Sequence, residues 1–398
     1  MSIKNVLYIR PPKSSTTGIR SYSSVMLEVM KNYCSNEFNF VDLTSDADFE
    51  ANVYTSFSIK TLRQYLVKLK TEGNFSETSI IMAEVGLNEY VEFFILMELK
   101  TLLREVPSFI TLHDPPRTIM NLNPFFSTYE KYVVARGIRR IYNKLFGAIL
   151  ERDFFMQGHN YIVLSHRGVQ VFEQRLKSIK IVDPPIYYLS HVNCIDETYD
   201  VLTPDNLQKK IFTFGYLGFI NPQKGIDLII EAFGKLESQT SVRVIIAGGA
   251  RQNSDKKYLD HLKNLILKNK FTSHFEFTGY LQNDNICDFL CQVDVMILPY
   301  RKTDSGSASG PFMWARSLGI PVIASNTRSF PENIEHGKDG LLFDAEDIHS
   351  LKDCMQSVLE SNMLFHRLRE GALKRKEECS FSSTALKVKE LLDKPVPR

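Results

Sequence analysis

Short apolar runs of strand length alternate with longer stretches of helical apolar spacing along most of the chain. In the first half the runs are Val6–Arg10, Phe38–Leu43, Ser79–Ala83, Ser108–Leu112 and Tyr161–Leu164, with helix-length sequence between them. That alternation favours a parallel sheet covered by helices on both faces. The first run closes on Pro11 and Pro12, and the polar loop KSSTTGIRS then leads into the apolar-periodic stretch Tyr22–Met30. Strand, small-residue loop and helix form the opening of a nucleotide-binding-type α/β unit.

The second half repeats the rhythm more clearly. Its strand-like runs are Ile211–Leu217, Val242–Ala247, Phe275–Phe277, Val293–Leu298 and Pro321–Ala324, with helical patterns at 225–237, 255–269, 283–291 and 309–318. The spacing is that of βα units, and no crossover need be long. Residues 196–210 are polar and contain Pro204, which reads as a linker between two Rossmann-like α/β domains. The expected division is 1–200 and 205–376, with the charged helical end, 377–398, crossing back to the first domain. No solenoid repeat or low-complexity tract interrupts this order.

Composition narrows the classes. A chain of 398 residues is long enough for two domains, and 43% apolar with 24% charged residues is ordinary for a globular protein, not a disordered or fibrous one. Lys and Arg number 48 against 46 Asp and Glu, so no whole-molecule field calls for a nucleic-acid partner. The N-terminus, MSIKNVLYIR, carries charge inside its apolar segment, unlike a cleaved secretory signal. Six scattered cysteines without a Cys-x-x-Cys suit a reducing compartment and argue against a disulfide framework or a structural zinc site. The expected location is the cytoplasm.

Two segments carry candidate chemistry. In LPYRKTDSGSASGPFMWARSLGIPVIAS (298–325), a strand ends at Pro299, a Ser/Gly-rich turn follows, and a helix begins near Ser309-Gly310-Pro311. A helix N-terminus behind small residues offers unpaired N–H groups and a positive dipole end, which suits a phosphate. The plainer alternative is a Ser-capped βα turn. In FTFGYLGFINPQKGIDLIIEAF (212–233), the strand opens into a loop that sets Lys224 at the mouth of the next helix. This is neither a Walker loop nor a dinucleotide fingerprint. Lys224 can act as a point charge on a phosphate or stand as a solvated loop lysine.

Taken together, these segments resemble a known family. Gly218-x5-Lys224-Gly225 before an apolar helix, AGG at 247–249, FTGYL at 277–281, DVMILPY at 294–300, GIPVIAS at 319–325 and PENIEHGKDGLLF at 331–343 resemble the donor domain of family 4 glycosyltransferases. In the first half, Gly18-Ile19, Thr111-Leu112-His113-Asp114 and Val163-Leu164-Ser165 sit where that family has similar motifs. AEVGLNEYVEFF (83–94) with HDPP (113–116) resembles the subset that builds bacterial surface polysaccharides. The resemblance implies a retaining enzyme of the GT-B fold, with two Rossmann-like domains facing across a cleft. It would move a sugar from a nucleotide-diphosphate sugar to a saccharide acceptor, plausible acceptors including lipid-linked ones. No metal or other cofactor would be required.

The resemblance also implies roles. Lys224, Arg301 and the turn Ser305, Ser307, Ser309 and Gly310 would hold the leaving diphosphate, with Gly18 and Gly218 in the donor loops and the base beside Tyr280 and Leu281. His113 would position the donor sugar and serve with Lys224 as a catalytic residue. Asp114 would orient its loop or accept from an acceptor hydroxyl, and Glu84 and Asn88 are candidate acceptor contacts or, equally, a helix cap and its neighbour. Glu332 would point toward the donor, although a first-turn helix carboxylate explains it as well. Attack would come from the front face, the leaving phosphate taking the acceptor proton.

This chain also departs from the family. Phe219 stands where an Arg is usual, and Gly306 and Trp314, the one Trp, stand where two glutamates eight positions apart are usual. Arg301 is the expected substitute for the missing cation, and the Ser305–Gly310 turn for the first glutamate. These losses suggest one alternative, a non-catalytic nucleotide-sugar-binding or scaffold descendant, and the shared fold leaves a sugar phosphorylase or synthase as another. Asp46-Ala47-Asp48 reads as loop carboxylates rather than a metal motif, and Cys287 with Cys291 as core packing. Residues 133–155 carry apolar residues at helical spacing with Arg136, Arg139, Arg140 and Lys144. That pattern suits peripheral contact with an anionic membrane, or a solvated face on a core helix.

Overall fold

The computed structural model describes residues 3–15, 17–45, 47–54, 57–86, 90–115, 151–182, 184–195, 211–251, 253–303 and 305–394. Two six-stranded parallel sheets organise the chain, and each is covered on both faces. Their contacts divide it into two compact units: residues 1–192 with Ser305–Ala308 and 381–398, and residues 193–304 with 309–380.

The first sheet contains β1 (Lys4–Ile9), β2 (Phe38–Asp42), β3 (Thr78–Val85), β4 (Ser108–Leu112), β5 (Asn160–Val163) and β6 (Ile186–Tyr188), in spatial order β2-β1-β3-β4-β5-β6. Among the described residues of 1–192, its helices of eight or more residues are α1 (Gly18–Cys34), α2 (Ile59–Thr71), α3 (Tyr90–Leu102) and α4 (His166–Ser178). The period-2 geometry of a strand sorts the core into two layers. Leu7, Ile9, Ile81, Ile110 and Val163 face one layer with Leu66, Phe93 and Phe172, whereas Val6, Tyr8, Ile80, Met82 and Ile162 face the other with Tyr22 and Met26 of α1.

The second sheet contains β7 (Phe212–Leu217), β8 (Val242–Ala247), β9 (Phe275–Gly279), β10 (Val295–Leu298), β11 (Val322–Ser325) and β12 (Gly340–Phe343), in order β12-β11-β10-β7-β8-β9. Around it run α5 (Ile226–Phe233), α6 (Asn253–Lys268), α7 (Asn283–Leu290), α8 (Gly310–Ser317), α9 (Ile348–Glu360) and α10 (Asn362–Glu378). The last helix, α11 (Phe381–Leu392), returns to the first unit: Phe381, Ala385 and Val388 are buried in the same layer as α1.

The order of the second sheet fixes where its ligand site belongs. The chain builds β7, β8 and β9 in one direction, then returns to place β10 on the free side of β7. Open α/β sheets bind ligands beyond the carboxyl ends of the strands at such a reversal. Here the two loops concerned leave β7 and β10, whose pairing sets Phe214 opposite Val295 and Gly215 opposite Met296. The first sheet reverses between β1 and β3 in the same way.

The strands and helices of the apolar pattern all form among the described residues, with ends shifted by a few positions. The short strands β6, which is half-buried to exposed, and β12 were not among the expected runs. Residues 196–210 and 133–150, where the linker and most of the membrane-contact segment were placed, lie outside the described residues, as do Asp46 and Asn88. Of the rest of 133–155, Phe154 and Phe155 are buried in the core. Among the described residues no helix is long and apolar enough to cross a membrane.

Two positions give stability predictions. Gly225 has φ +65°, and a Cβ there would stand 2.1 Å from the Pro299 carbonyl oxygen, so the turn after β7 is pressed against the end of β10. Gly225→Ala should therefore cost about 2 kcal/mol or more, measured by urea unfolding; an unchanged midpoint would show that the contact is not maintained. At the amino ends of β4 and β5 in the first sheet, His159 Nδ1 is 2.7 Å from Ser108 Oγ, and burial, then Lys100, pushes the imidazole down to about 3. The unfolded chain binds a proton near pH 6.5 that the folded chain refuses. This contribution to stability is present above pH 6.5 and is lost progressively as pH falls toward 3. Thermal unfolding from pH 7 to 4 should fall less steeply for His159→Gln than for the parent; parallel curves would contradict the assignment.

Candidate functional site

The loops leaving β7 and β10 converge on a buried tyrosine. Gly218, with φ +135°, turns the chain out of β7, and a Cβ there would lie 3.3 Å from Pro311 Cγ in the first turn of α8. Residues Pro222–Lys224 then form one 3₁₀ turn, which Gly225 closes in the left-handed conformation. This turn carries Lys224 Nζ to 3.6 Å from the centroid of the Tyr300 ring. Tyr300 follows β10 and is only 1% exposed. Its hydroxyl lies 3.2 Å from Ser309 Oγ, and Ser309 caps α8 by accepting from the Phe312 amide at 3.4 Å.

Gly218, Lys224, Ser309 and Gly310 are thus brought together around the amino end of α8, with Tyr300 as their hub. Gly310 is exposed, and a Cβ at that position would meet nothing within 4 Å. Pro311, which has no N–H to leave unpaired, occupies the first turn. The Tyr300 ring also has the Arg328 guanidinium at 5.3 Å. Burial alone would push the Tyr300 phenol up, but Lys224, Ser309 and Arg328 outweigh it and hold the phenol below the usual tyrosine range. Two cationic side chains and the amino end of α8 thus lie near one ring, an arrangement that can hold an anion. Tyr300, the last residue of the DVMILPY segment, was given no role of its own, because an aromatic residue behind a strand usually reads as core, and the conformation of a loop Arg such as Arg328 has no sequence signal.

Arg301 behaves differently from its expected role. Its guanidinium pairs with Asp227 at 2.5 Å and with Glu346 at 3.6 Å, while its Nε donates to the Pro222 carbonyl at 3.0 Å. Its charge is matched inside the protein, and it braces the turn that carries Lys224. On the other side of the loop, Phe219 and Tyr280 are nearly parallel with centroids 6.1 Å apart, and the Arg251 guanidinium lies 4.3 Å from the Phe219 ring. Tyr280 is 55% exposed, leaving a flat aromatic surface, and Leu281 beside it is half-buried. Glu332 is exposed in the short helical turn Phe330–Asn333.

In the first unit the hub is Glu84. Its side chain is 1% exposed in β3, with one oxygen accepting from Tyr8 Oη at 2.5 Å and the other 2.7 Å from His113 Nε2. The expected acceptor contact at Glu84 is thus a buried group that orients His113. Tyr22 of α1 packs edge-on to both His113 and His191, with centroids 4.9 and 4.6 Å away. Gly18 begins α1 behind Thr17, whose side chain accepts from the Arg20 amide, and the space over Gly18 is open.

The Ser/Gly turn, expected to act as one piece, is divided. Ser309 and Gly310 belong to the second unit, but Ser305–Ala308 belongs to the first. There Ser307 Oγ donates to Asp114 at 3.0 Å and pairs with Ser305 Oγ, while Ser165 Oγ donates to the Gly306 carbonyl. Asp114 therefore orients a loop. A Cβ on Gly306 would lie 2.4 Å from Gly168 Cα, so this backbone-to-backbone contact leaves no room for the glutamate usual at that place. Trp314, at the second glutamate place, is half-buried on α8. Cys287 and Cys291 are half-buried, and among the described residues no group of His, Cys, Asp and Glu could hold a metal ion.

Residues 203–375 match the family model described as glycosyl transferases group 1. The GDP-mannose-dependent alpha-(1-6)-phosphatidylinositol monomannoside mannosyltransferase of Mycobacterium tuberculosis is 28% identical over 144 residues, 35% of this chain and 36% of that protein. The capsular polysaccharide biosynthesis glycosyltransferase CapM of Staphylococcus aureus is 23% identical over 197 residues, 48% of this chain and 46% of that protein. The chain thus spans less than half the length of these curated relatives. Among solved structures, Anabaena Alr3699/HepE in complex with UDP is similar at a TM-score of 0.66 and 15% identity, covering 98% of this chain and 99% of that one. Sucrose-phosphate synthase from Thermosynechococcus elongatus is similar at 0.68 and 14%, covering 98% of each. The chain therefore has the fold of GT-B glycosyltransferases, two Rossmann-like domains, and its residues 203–375 match the group 1 glycosyl transferase family.

Proposed function

We propose that this protein is a retaining glycosyltransferase that moves a sugar from a nucleotide-diphosphate sugar to a saccharide acceptor in polysaccharide or glycoconjugate assembly. The observation that carries the proposal is the convergence of Lys224, Tyr300 and Ser309 on the amino end of α8 at the strand-order reversal. As the anomeric C–O bond breaks, negative charge grows on the leaving diphosphate. The Lys224 ammonium, the Ser309 hydroxyl and the Gly310 amide are preorganised to stabilise that charge, without a reorganisation cost during reaction. In this reading the neutralising charge comes from side chain and helix dipole and not from a divalent ion.

The exposed Tyr280 ring, backed by Phe219, is the proposed surface for the nucleobase, with Leu281 beside it. In the first unit, His113 is the proposed contact to the transferred sugar, and Glu84 fixes its ring. The neighbour that binds UDP supports a nucleotide donor, and the relatives acting in phosphatidylinositol mannoside and capsule assembly support a saccharide acceptor. The close contact at Gly306 favours a second reading, a protein that binds nucleotide sugar without transferring it, because one usual carboxylate has no place to stand. Hydrolysis of donor in the absence of acceptor would exclude that alternative.

Two outcomes follow from the first reading. Lys224→Ala should lower turnover by about 10²–10³-fold and shift the thermal midpoint by only ~2–4 °C, measured by nucleotide release and calorimetry. Unchanged turnover would remove Lys224 from the reaction. The product should keep the anomeric configuration of the donor when followed by proton NMR, and an inverted product would contradict front-face attack.

A further inference from the structure

Arg328 occupies a position that backbone physics assigns to glycine. It is the second residue of the turn Thr327–Phe330, closed by the Phe330 amide donating to the Thr327 carbonyl at 3.3 Å, and its φ is +54°. The next residue, Ser329, has φ −89° and ψ 2°. Turns of this form place glycine at the second residue, because a side chain there is strained.

Three other described residues without glycine's freedom share the positive φ, and each has a local explanation. Lys180 and Lys270 end α4 and α6, where the following amides, of Ile181 and Phe271, return to the carbonyls of Leu176 and Ile266. That is a helix-terminating geometry that often uses the left-handed conformation. Glu346 lies in a turn closed by the Asp347 amide and pairs with Arg301. Arg328 ends no long helix and forms no ion pair among the described residues. Its Nε is buried without a hydrogen-bond partner, and its guanidinium approaches the ring that Lys224 covers.

Two positive side chains therefore share one buried ring, while the neighbouring Arg301 is already neutralised by Asp227 and Glu346. An anion within reach of Arg328 meets an unmatched guanidinium charge and a buried Nε that has no hydrogen-bond partner. Strain held at such a position points to function when no packing need accounts for it.

We infer that Arg328 is a second cation of the diphosphate site and supplies, from the loop after β11, the charge that is missing at Phe219. The inference rests on the reading of the Tyr300 cluster as the donor phosphate site. An arginine adds what a second lysine would not, a planar fork able to give two parallel hydrogen bonds to phosphate oxygens.

The test uses the full chain with UDP and with inorganic pyrophosphate, titrated by calorimetry. Arg328→Gly should weaken both by about tenfold or more, while the thermal midpoint of the ligand-free protein stays level or rises as the strain is released. Arg328→Lys, which keeps charge without the fork, should fall between. If Arg328→Gly binds both as tightly as the parent, the inference is overturned while the donor site stands. If Arg328→Gly unfolds at a clearly lower temperature and binds unchanged, the residue serves packing alone. If the parent chain binds neither probe, the glycosyl-transfer reading fails, and this inference with it.

Discussion

A buried phenol ring with a lysine ammonium 3.6 Å from its centroid is the interaction on which the geometry at the amino end of α8 depends. An ammonium over an aromatic face is attracted to the ring, which fixes where that charge stands. Tyr300 can serve because it follows β10 directly and is locked by three neighbours. Its hydroxyl meets the helix cap at Ser309, Phe330 packs edge-on to it, and Gly225 lets the lysine turn press against Pro299. The strand order brings these loops together, so sheet topology sets Lys224, Tyr300 and Ser309 at one point.

The first unit is arranged on the opposite principle, around a buried carboxylate. Glu84 is enclosed with Tyr8 and His113, and a buried acid is tolerable only when its oxygens are satisfied. Held from both sides, it sets the His113 ring, and Tyr22 packs edge-on to that ring. The Asp114–Ser307 bond and the Gly306–Gly168 contact organise the next loop with hydroxyls and bare backbone. Where the family usually has a glutamate, this chain has a close approach that only glycine permits.

The fold was largely legible because βα alternation is a property of neighbouring residues. Residues Ser108–Leu112, for example, are recognisable from five positions and form β4 with those bounds. The site was legible in its backbone parts, the glycine and serine loops and Lys224, since small residues and a lysine at a helix mouth leave local traces. Its through-space parts were not. Glu84 was read as an acceptor contact or a helix cap when it is a buried residue near the end of β3, and Arg301 looked like a phosphate cation when Asp227, seventy-four positions away, claims it. Arg328 was invisible because its significance lies in a dihedral angle.

The most direct measurement is a crystal structure of the full chain with bound UDP. The account predicts the diphosphate against Lys224 Nζ, Ser309 Oγ and the Gly310 amide, with the uracil on the Tyr280 face. A diphosphate lodged elsewhere, with the Tyr300 cluster unchanged and untouched, would contradict it.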